Sequence, residues 1–246
     1  MMTVSERRAR FRALHESGCF LLPNPWDIGS AVRLARLGFK ALATSSSAAA
    51  WAIGKEDYEI TLDQALANMA LIAGATDLPV NADFETGFAN GPEGVAANVA
   101  KAVETGVAGL SIEDRQGDGL RDDDLAVECV AAAKAACGNA LLVARTEAYL
   151  VGIGNADFAI RRLRAFAEAG ADCLYAPGVK DIAVIRAMVE AVAPKPLNVL
   201  LMGGLKPADL VKAGVRRISV GGSLAWKAWE AFDAAAAELR ASLADR

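Results

Sequence analysis

The sequence predicts an α/β fold and, within that class, a (β/α)8 TIM barrel. Three observations carry the prediction. Eight short apolar runs recur along the chain, alanine-rich helical stretches separate most of them, and one glycine-centred pattern repeats at helix ends. Strands that alternate with helices build a parallel sheet. Dividing 246 residues by eight gives about 31 per unit, the size of one strand–helix repeat.

The strands are expected at residues 19–22, 41–44, 79–83, 109–113, 141–145, 173–176, 197–201 and 217–220. Each is a continuous apolar run bounded by Gly, Pro, Asp or Ser, as suits a strand buried on both faces. Helices are expected at 93–104, 125–136 and 157–169, among others. Segments 36–42 (RLGFKAL), 104–110 (ETGVAGL), 168–174 (EAGADCL) and 212–218 (KAGVRRI) share one design. A helix ends at Gly38, Gly106, Gly170 or Gly214, an apolar residue follows, and a strand begins. Glycine fits there because the left-handed backbone at a helix end costs it nothing. These segments precede the second, fourth, sixth and eighth strands, an alternation that fits a closed barrel. A doubly wound sheet stays open as the alternative, although its nucleotide fingerprint G-x-G-x-x-G is absent after the first strand. The chain, 1–246, reads as one barrel domain. Residues 226–246 form a C-terminal helix that docks on its own barrel or on a neighbour.

Composition narrows the chemistry. The chain is 54% hydrophobic and 23% charged, with a net charge of −4. That balance offers no electrostatic footprint for nucleic acid. No apolar run is long enough to span a membrane, and the arginine-rich start is not a secretory signal. The four cysteines show no C-x-x-C spacing, which suits a reducing, cytoplasmic setting. With one histidine, His15, multi-histidine zinc sites are excluded. His15 falls in the N-terminal helix and reads as a surface or packing residue.

Chemistry in such barrels sits at the carboxyl ends of the strands. The expected strand ends carry Thr44 to Ser47, then Asp83 and Glu85, Glu113 and Asp114, and Arg145, Thr146 and Glu147. Asp83 and Glu85 are two apart, so on an extended strand they point to one side. With Glu113 next to them, three carboxylates converge and need a cation to stay ionised. Oxygen-only ligands suit Mg2+, with Mn2+ as its substitute. Arg145 is placed to grip a substrate carboxylate. Each of these residues also has a structural reading. Ser45, Ser46 and Ser47 suit a turn or helix cap, and Arg145 suits an ion pair with Glu113 or Glu147. Gly203–Gly204 and Gly221–Gly222 suit tight turns or, on a rival reading, a phosphate cradle.

Four segments resemble the isocitrate lyase/phosphoenolpyruvate mutase superfamily. They are 83–90 (DFETGFAN, similar to D-x-D-T-G-Y-G-N), 111–114 (SIED), 144–148 (ARTEA, similar to A-R-T-D-A) and 44–61 (TSSSAAAWAIGKEDYEIT). The resemblance implies a barrel whose last helix is exchanged between subunits of a homo-oligomer, a dimer or tetramer. It implies Asp83 as the principal Mg2+ carboxylate. Glu85, Glu113 and Asp57 would hold metal-bound waters. Ser45 to Ser47 would bind the carboxylate of a 2-oxo acid or dicarboxylate, and Arg145 would hold the substrate or its developing charge.

Departures from the family pattern choose among its reactions. The K-K-C-G-H loop of isocitrate and methylisocitrate lyases is replaced by DRQGDGLRDDD at 114–124, with no cysteine or lysine. Cys129 lies too far into the next helix to substitute. The longer gating loop of the mutase and hydrolase is also missing. The second aspartate of the metal motif is Glu85. The expected activity is Mg2+-dependent cleavage of a C–C bond in a small 2-oxo acid, like oxaloacetate decarboxylase, with residues 115–124 as a lid. A C–P bond hydrolase or mutase and a non-catalytic 2-oxo acid binding protein are the alternatives.

Overall fold

The structure, a computed structural model, describes residues 2–153 and 155–242. Its first half runs α1 (Val4–Leu14), β1 (Phe20–Leu22), α2 (Ile28–Arg36), β2 (Leu42–Ala43), α3 (Ser46–Ala52), α4 (Leu62–Ala75), β3 (Val80–Asp83), α5 (Pro92–Glu104) and β4 (Gly109–Glu113). A short pair, β5 (Arg115–Gln116) and β6 (Gly119–Leu120), comes next. The second half runs α6 (Asp123–Ala136), β7 (Leu141–Arg145), α7 (Ala156–Glu168), β8 (Cys173–Tyr175), α8 (Ile182–Val192), β9 (Leu197–Leu200), α9 (Pro207–Lys212), β10 (Arg217–Ser219) and α10 (Ser223–Ala241). All eight expected strands are present, most of them shorter at their ends. The four repeat glycines have φ of +85°, +87°, +104° and +89°, as their helix-end position requires.

The eight parallel strands lie in the order β1-β10-β9-β8-β7-β4-β3-β2. Between β1 and β2 there is no ladder. There, the Ala43 N–H donates to the Pro23 carbonyl at 3.0 Å, and Asn24 Nδ2 donates to the Thr44 carbonyl at 2.7 Å. Asn24 Oδ1 also accepts from the N–H groups of Val220 and Gly221, at 3.0 and 2.9 Å. One asparagine thus joins the ends of β1, β2 and β10 and nearly closes the barrel.

Side-chain alternation sorts the core into two clusters. Leu42, Val80, Leu110, Leu142 and Leu174 face outward and pack under the helices. Phe20, Leu22, Ala43, Val143 and Tyr175 face inward and pack with Phe11 of α1. Fully buried, Phe11 brings α1 across the amino end of the barrel. Burying such a side chain contributes about 1.5–3 kcal/mol. Gly109 makes the room, since a Cβ there would lie 2.9 Å from Phe11 Cε1 and 2.7 Å from the Leu141 carbonyl oxygen.

His15 is a packing residue. It sits at the C-cap of α1 and meets Phe11 and Phe20 edge-on, with ring centroids at 4.7 and 5.0 Å. Its Nδ1 lies 2.8 Å from the Phe11 carbonyl, which assigns the proton to that nitrogen, while Nε2 is buried without a partner. Burial, reinforced by the Arg217 charge, pushes its pKa down to about 3. The unfolded chain takes up this proton near pH 6.5 and the native state does not. Stability is therefore present above about pH 6.5 and is lost as the pH falls toward 3. His15→Leu is expected to gain on the wild type by about 2 kcal/mol between pH 7 and 4.5 in urea unfolding. An equal difference at both pH values would refute this.

At the other end of the chain, α10 leaves the barrel. Of its residues only Ala225 is buried, and Trp226, Phe232 and Leu239 are exposed, as is Leu21 on β1. Its first turns are held by Trp51, which meets Trp226 and Trp229 at 6.0 and 5.9 Å. The helix expected over 226–246 thus extends to Ala241, and residues 243–246 lie outside the described residues. No helix among the described residues is long and apolar enough to cross a membrane.

Candidate active site

Strand pairing sets Glu113 beside Arg145 and Asp83 beside Ser111 at the carboxyl end of the barrel. Arg145 Nη1 lies 3.3 Å from Glu113 Oε2 and 3.4 Å from Asp83 Oδ1, and its Nε bonds Glu147. The guanidinium also stands 5.4 Å over the Tyr175 ring. So the ion-pair reading of Arg145 holds for Glu113 and Glu147 together, with Asp83 as a third partner. Burial opposes the Arg145 charge, yet Glu113, Glu147 and Asp83 outweigh it and raise its pKa well above the usual value.

The serines flank this cluster. Ser46 donates to Asp83 Oδ2 from its N–H at 3.1 Å and from its Oγ at 3.0 Å. Ser45 is the N-cap of α3; its Oγ accepts from the Ala48 N–H at 3.3 Å and lies 3.0 Å from Ser47 Oγ. Thr44 Oγ1 accepts from the Asp83 N–H at 2.8 Å. The cap reading is therefore correct for Ser45, while Ser46 is committed to Asp83.

Glu85 corrects the reasoning from strand alternation. β3 ends at Asp83, and Glu85 has φ +44° in a turn. It still lies among the acids, because its carbonyl accepts from the Glu113 N–H at 2.9 Å. Burial first, then Asp83, Glu113 and Asp57, push its pKa up to about 8. Burial, with Glu147 and Asp83 adding to it, likewise raises the Glu113 pKa, against the opposing pull of Arg145. Asp57 sits at the exposed rim, its carboxylate accepting from the Tyr58 N–H. Its pKa is raised by partial burial and by Asp83.

The donor set fits a hard cation. Asp57, Asp83, Glu85, Glu113 and Glu147 outnumber Arg145, which pairs with three of them. Glu85 Oε1 is buried with no hydrogen-bond partner. Among the described residues no three such groups form a ready cage. Oxygen ligands in excess without a cage suit Mg2+, which takes one or two carboxylates and keeps several waters.

Tyr58 was not legible as a site residue. Its hydroxyl donates to Glu113 Oε1 at 2.6 Å, and its ring lies 4.4 Å from the Arg115 guanidinium. It has φ +67°, which the segment GKEDYE does not announce. Arg115 belongs to the β5–β6 hairpin, so residues 115–124 are not a plain loop. Buried Arg121 anchors the hairpin by donating to the carbonyls of Thr86 and Ala89, at 2.9 and 2.6 Å. Asp114, also buried, accepts from the Glu147 N–H at 2.9 Å and lies 3.7 Å from Arg162, which makes it a structural residue. Cys129 packs in the outer core. The glycine pairs are turns: Asn24 already takes the Val220 and Gly221 N–H groups, and a Cβ on Gly222 would lie 2.7 Å from the Trp51 ring.

Comparison with known proteins bears on the chain as a whole. The phosphoenolpyruvate phosphomutase family profile matches residues 11–240. An oxaloacetate decarboxylase of Pseudomonas paraeruginosa is 34% identical over 239 residues, covering 90% of this chain and 80% of that one. A crystal structure from Burkholderia cenocepacia J2315, described as a lyase/mutase, superposes with a TM-score of 0.93 at 44% identity, covering 96% of this chain and 88% of the other. Phosphonopyruvate hydrolase in complex with oxalate and Mg2+ superposes at 0.87 with 25% identity, covering 98% and 88%.

Proposed function

We propose, on the premise that this chain belongs to the phosphoenolpyruvate phosphomutase family, that it is a Mg2+-dependent lyase that decarboxylates a small 2-oxo acid of the oxaloacetate type. The observation that carries the reading is the cluster of Asp83, Glu85 and Glu113 around one arginine, with a buried Glu85 oxygen left unpaired. Likeness to an oxaloacetate decarboxylase supports it.

Asp83 would hold the metal directly, with Glu85, Glu113 and Asp57 holding its waters. Bound Mg2+ or Mn2+ supplies Lewis-acid stabilisation of charge that develops on the substrate oxygens. The N–H groups before and within the first turn of α3, at Ser45 and Ser47, would receive the substrate carboxylate, since that of Ser46 is engaged by Asp83. Arg145 spends Nε and Nη1 on carboxylates, which leaves Nη2 for the substrate. There it meets the negative charge of the enolate as CO2 departs, and a proton from water at C3 then completes the product keto acid. CO2 leaves without a proton donor, which suits a mouth whose adjoining hairpin carries neither cysteine nor lysine. Tyr58 fixes Glu113. Tyr58→Phe removes a hydrogen bond to a buried carboxylate and is expected to lower kcat/KM about tenfold; steady-state kinetics equal to the wild type would remove it from the site.

The exposed faces of α10 and β1 support the exchange of that helix with a second subunit. The reaction is tested by pyruvate release from oxaloacetate and from phosphonopyruvate, with Mg2+ and with a chelator. Metal-dependent release from oxaloacetate is expected. Release from phosphonopyruvate alone would move the assignment to C–P cleavage. No release from either, with tight oxalate binding, would leave a binding protein.

A further inference from the structure

The barrel interior beneath the carboxylates holds a second arginine. Arg217, at the start of β10, is 3% exposed. Its Nε donates to Asn198 Oδ1 at 3.1 Å and its Nη1 to Asn81 Oδ1 at 3.3 Å. The guanidinium carbon stands 5.9 Å over the Phe11 ring. Both amides are fixed oxygen-first, because Asn198 Nδ2 donates to Ser219 Oγ and Asn81 Nδ2 to the Ala82 carbonyl. Amide oxygens solvate a cation but carry no net charge.

The two arginines contrast sharply. Arg145 pairs with three carboxylates, whereas Arg217 pairs with none among the described residues. A guanidinium has no accessible neutral form near pH 7, and a buried charge without a counter-charge is costly. Arg217 lines a cavity of about 50 Å3 together with Arg145, Asn24, Asn81, Asn198 and Ser219. One water needs roughly 10–15 Å3 on this measure, so there is room for a small ion. Asp83 also borders the cavity, but its charge is already met by Arg145 and Ser46.

We propose that Arg217 forms a monoanion site inside the barrel and draws an anionic group of halide or carboxylate size into the cavity it shares with Arg145. The site borders the mouth where Asp83 and Arg145 sit, so its link to the bound acid rests on the proposed function. Its occupant is either a free ion or one carboxylate of the bound acid, and the two sources are separable.

Crystals of the wild-type protein soaked in bromide are expected to show one anomalous peak against the Arg217 guanidinium. The melting temperature should be higher in sodium bromide than in sodium gluconate at equal ionic strength, gluconate being too large for the cavity. Asn198→Asp places a carboxylate beside Nε in nearly the same volume, so it should remove both the peak and the bromide-dependent rise. Arg217→Met should do the same. Expulsion of bromide by oxalate would identify the acid's carboxylate as the occupant, and coexistence would identify a free ion. Water alone in the wild-type cavity at high bromide overturns the proposal. So does a bromide peak, or a bromide-dependent rise, that survives in Asn198→Asp.

Discussion

Asp83→Ala is expected to abolish Mg2+ binding and to cut turnover by about 100- to 1000-fold or more, the range seen when one centre of transition-state charge stabilisation is lost. The fold should tolerate the change. Asp83 is not fully buried, its partner Ser46 is only half-buried, and Arg145 keeps Glu113 and Glu147. Removing one negative charge also relieves Glu85, for which Asp83 is the largest repelling neighbour. The metal-free variant should therefore melt close to the wild type. Calorimetric titration with Mg2+ checks the central claim, and unchanged affinity would take Asp83 out of the metal set.

Arg145→Met is expected to do the opposite to stability. It strands Glu113 and Glu147, both almost fully buried. Removing one partner of a buried ion pair typically costs about 3–5 kcal/mol, which for a chain of this size lowers Tm by roughly 10 °C. Arg145→Lys separates the two roles of the residue. A lysine keeps the charge among the carboxylates but loses the fork that we propose also reaches the substrate. It should restore most of the Tm and little of the turnover. Full activity in Arg145→Lys would reduce Arg145 to a structural counter-ion. A Tm for Arg145→Met within a degree or two of the wild type would mean that the carboxylates take up protons instead.

The barrel was legible because its signals are local. Apolar runs mark strands buried on both faces, and glycine at helix ends marks the turn into the next strand. Asp83, Glu113 and Arg145 were legible because a strand end is a place that topology defines. Tyr58, Asn24 and Arg217 were not. Each acts through contacts remote in sequence: Tyr58 reaches Glu113 from the loop after α3, and Arg217 reaches Asn81 across the barrel. Glu85 was placed correctly among the acids for an incorrect reason. Alternation assumed an extended strand, and the chain had already turned. The hairpin at 115–120 escaped notice because two-residue strands have no periodicity to read.

Asn24 has a mechanical consequence. Seven of the eight joints around the barrel are ladders, and the eighth, between β1 and β2, is a single backbone bond reinforced by one side chain. Where contacts are fewest, local opening costs least. Thr44 and Ser46, which hold Asp83, follow β2 directly. A barrel that parts first at this joint loosens the grip of Thr44 and Ser46 on Asp83 without melting its core, with Asn24 as the latch.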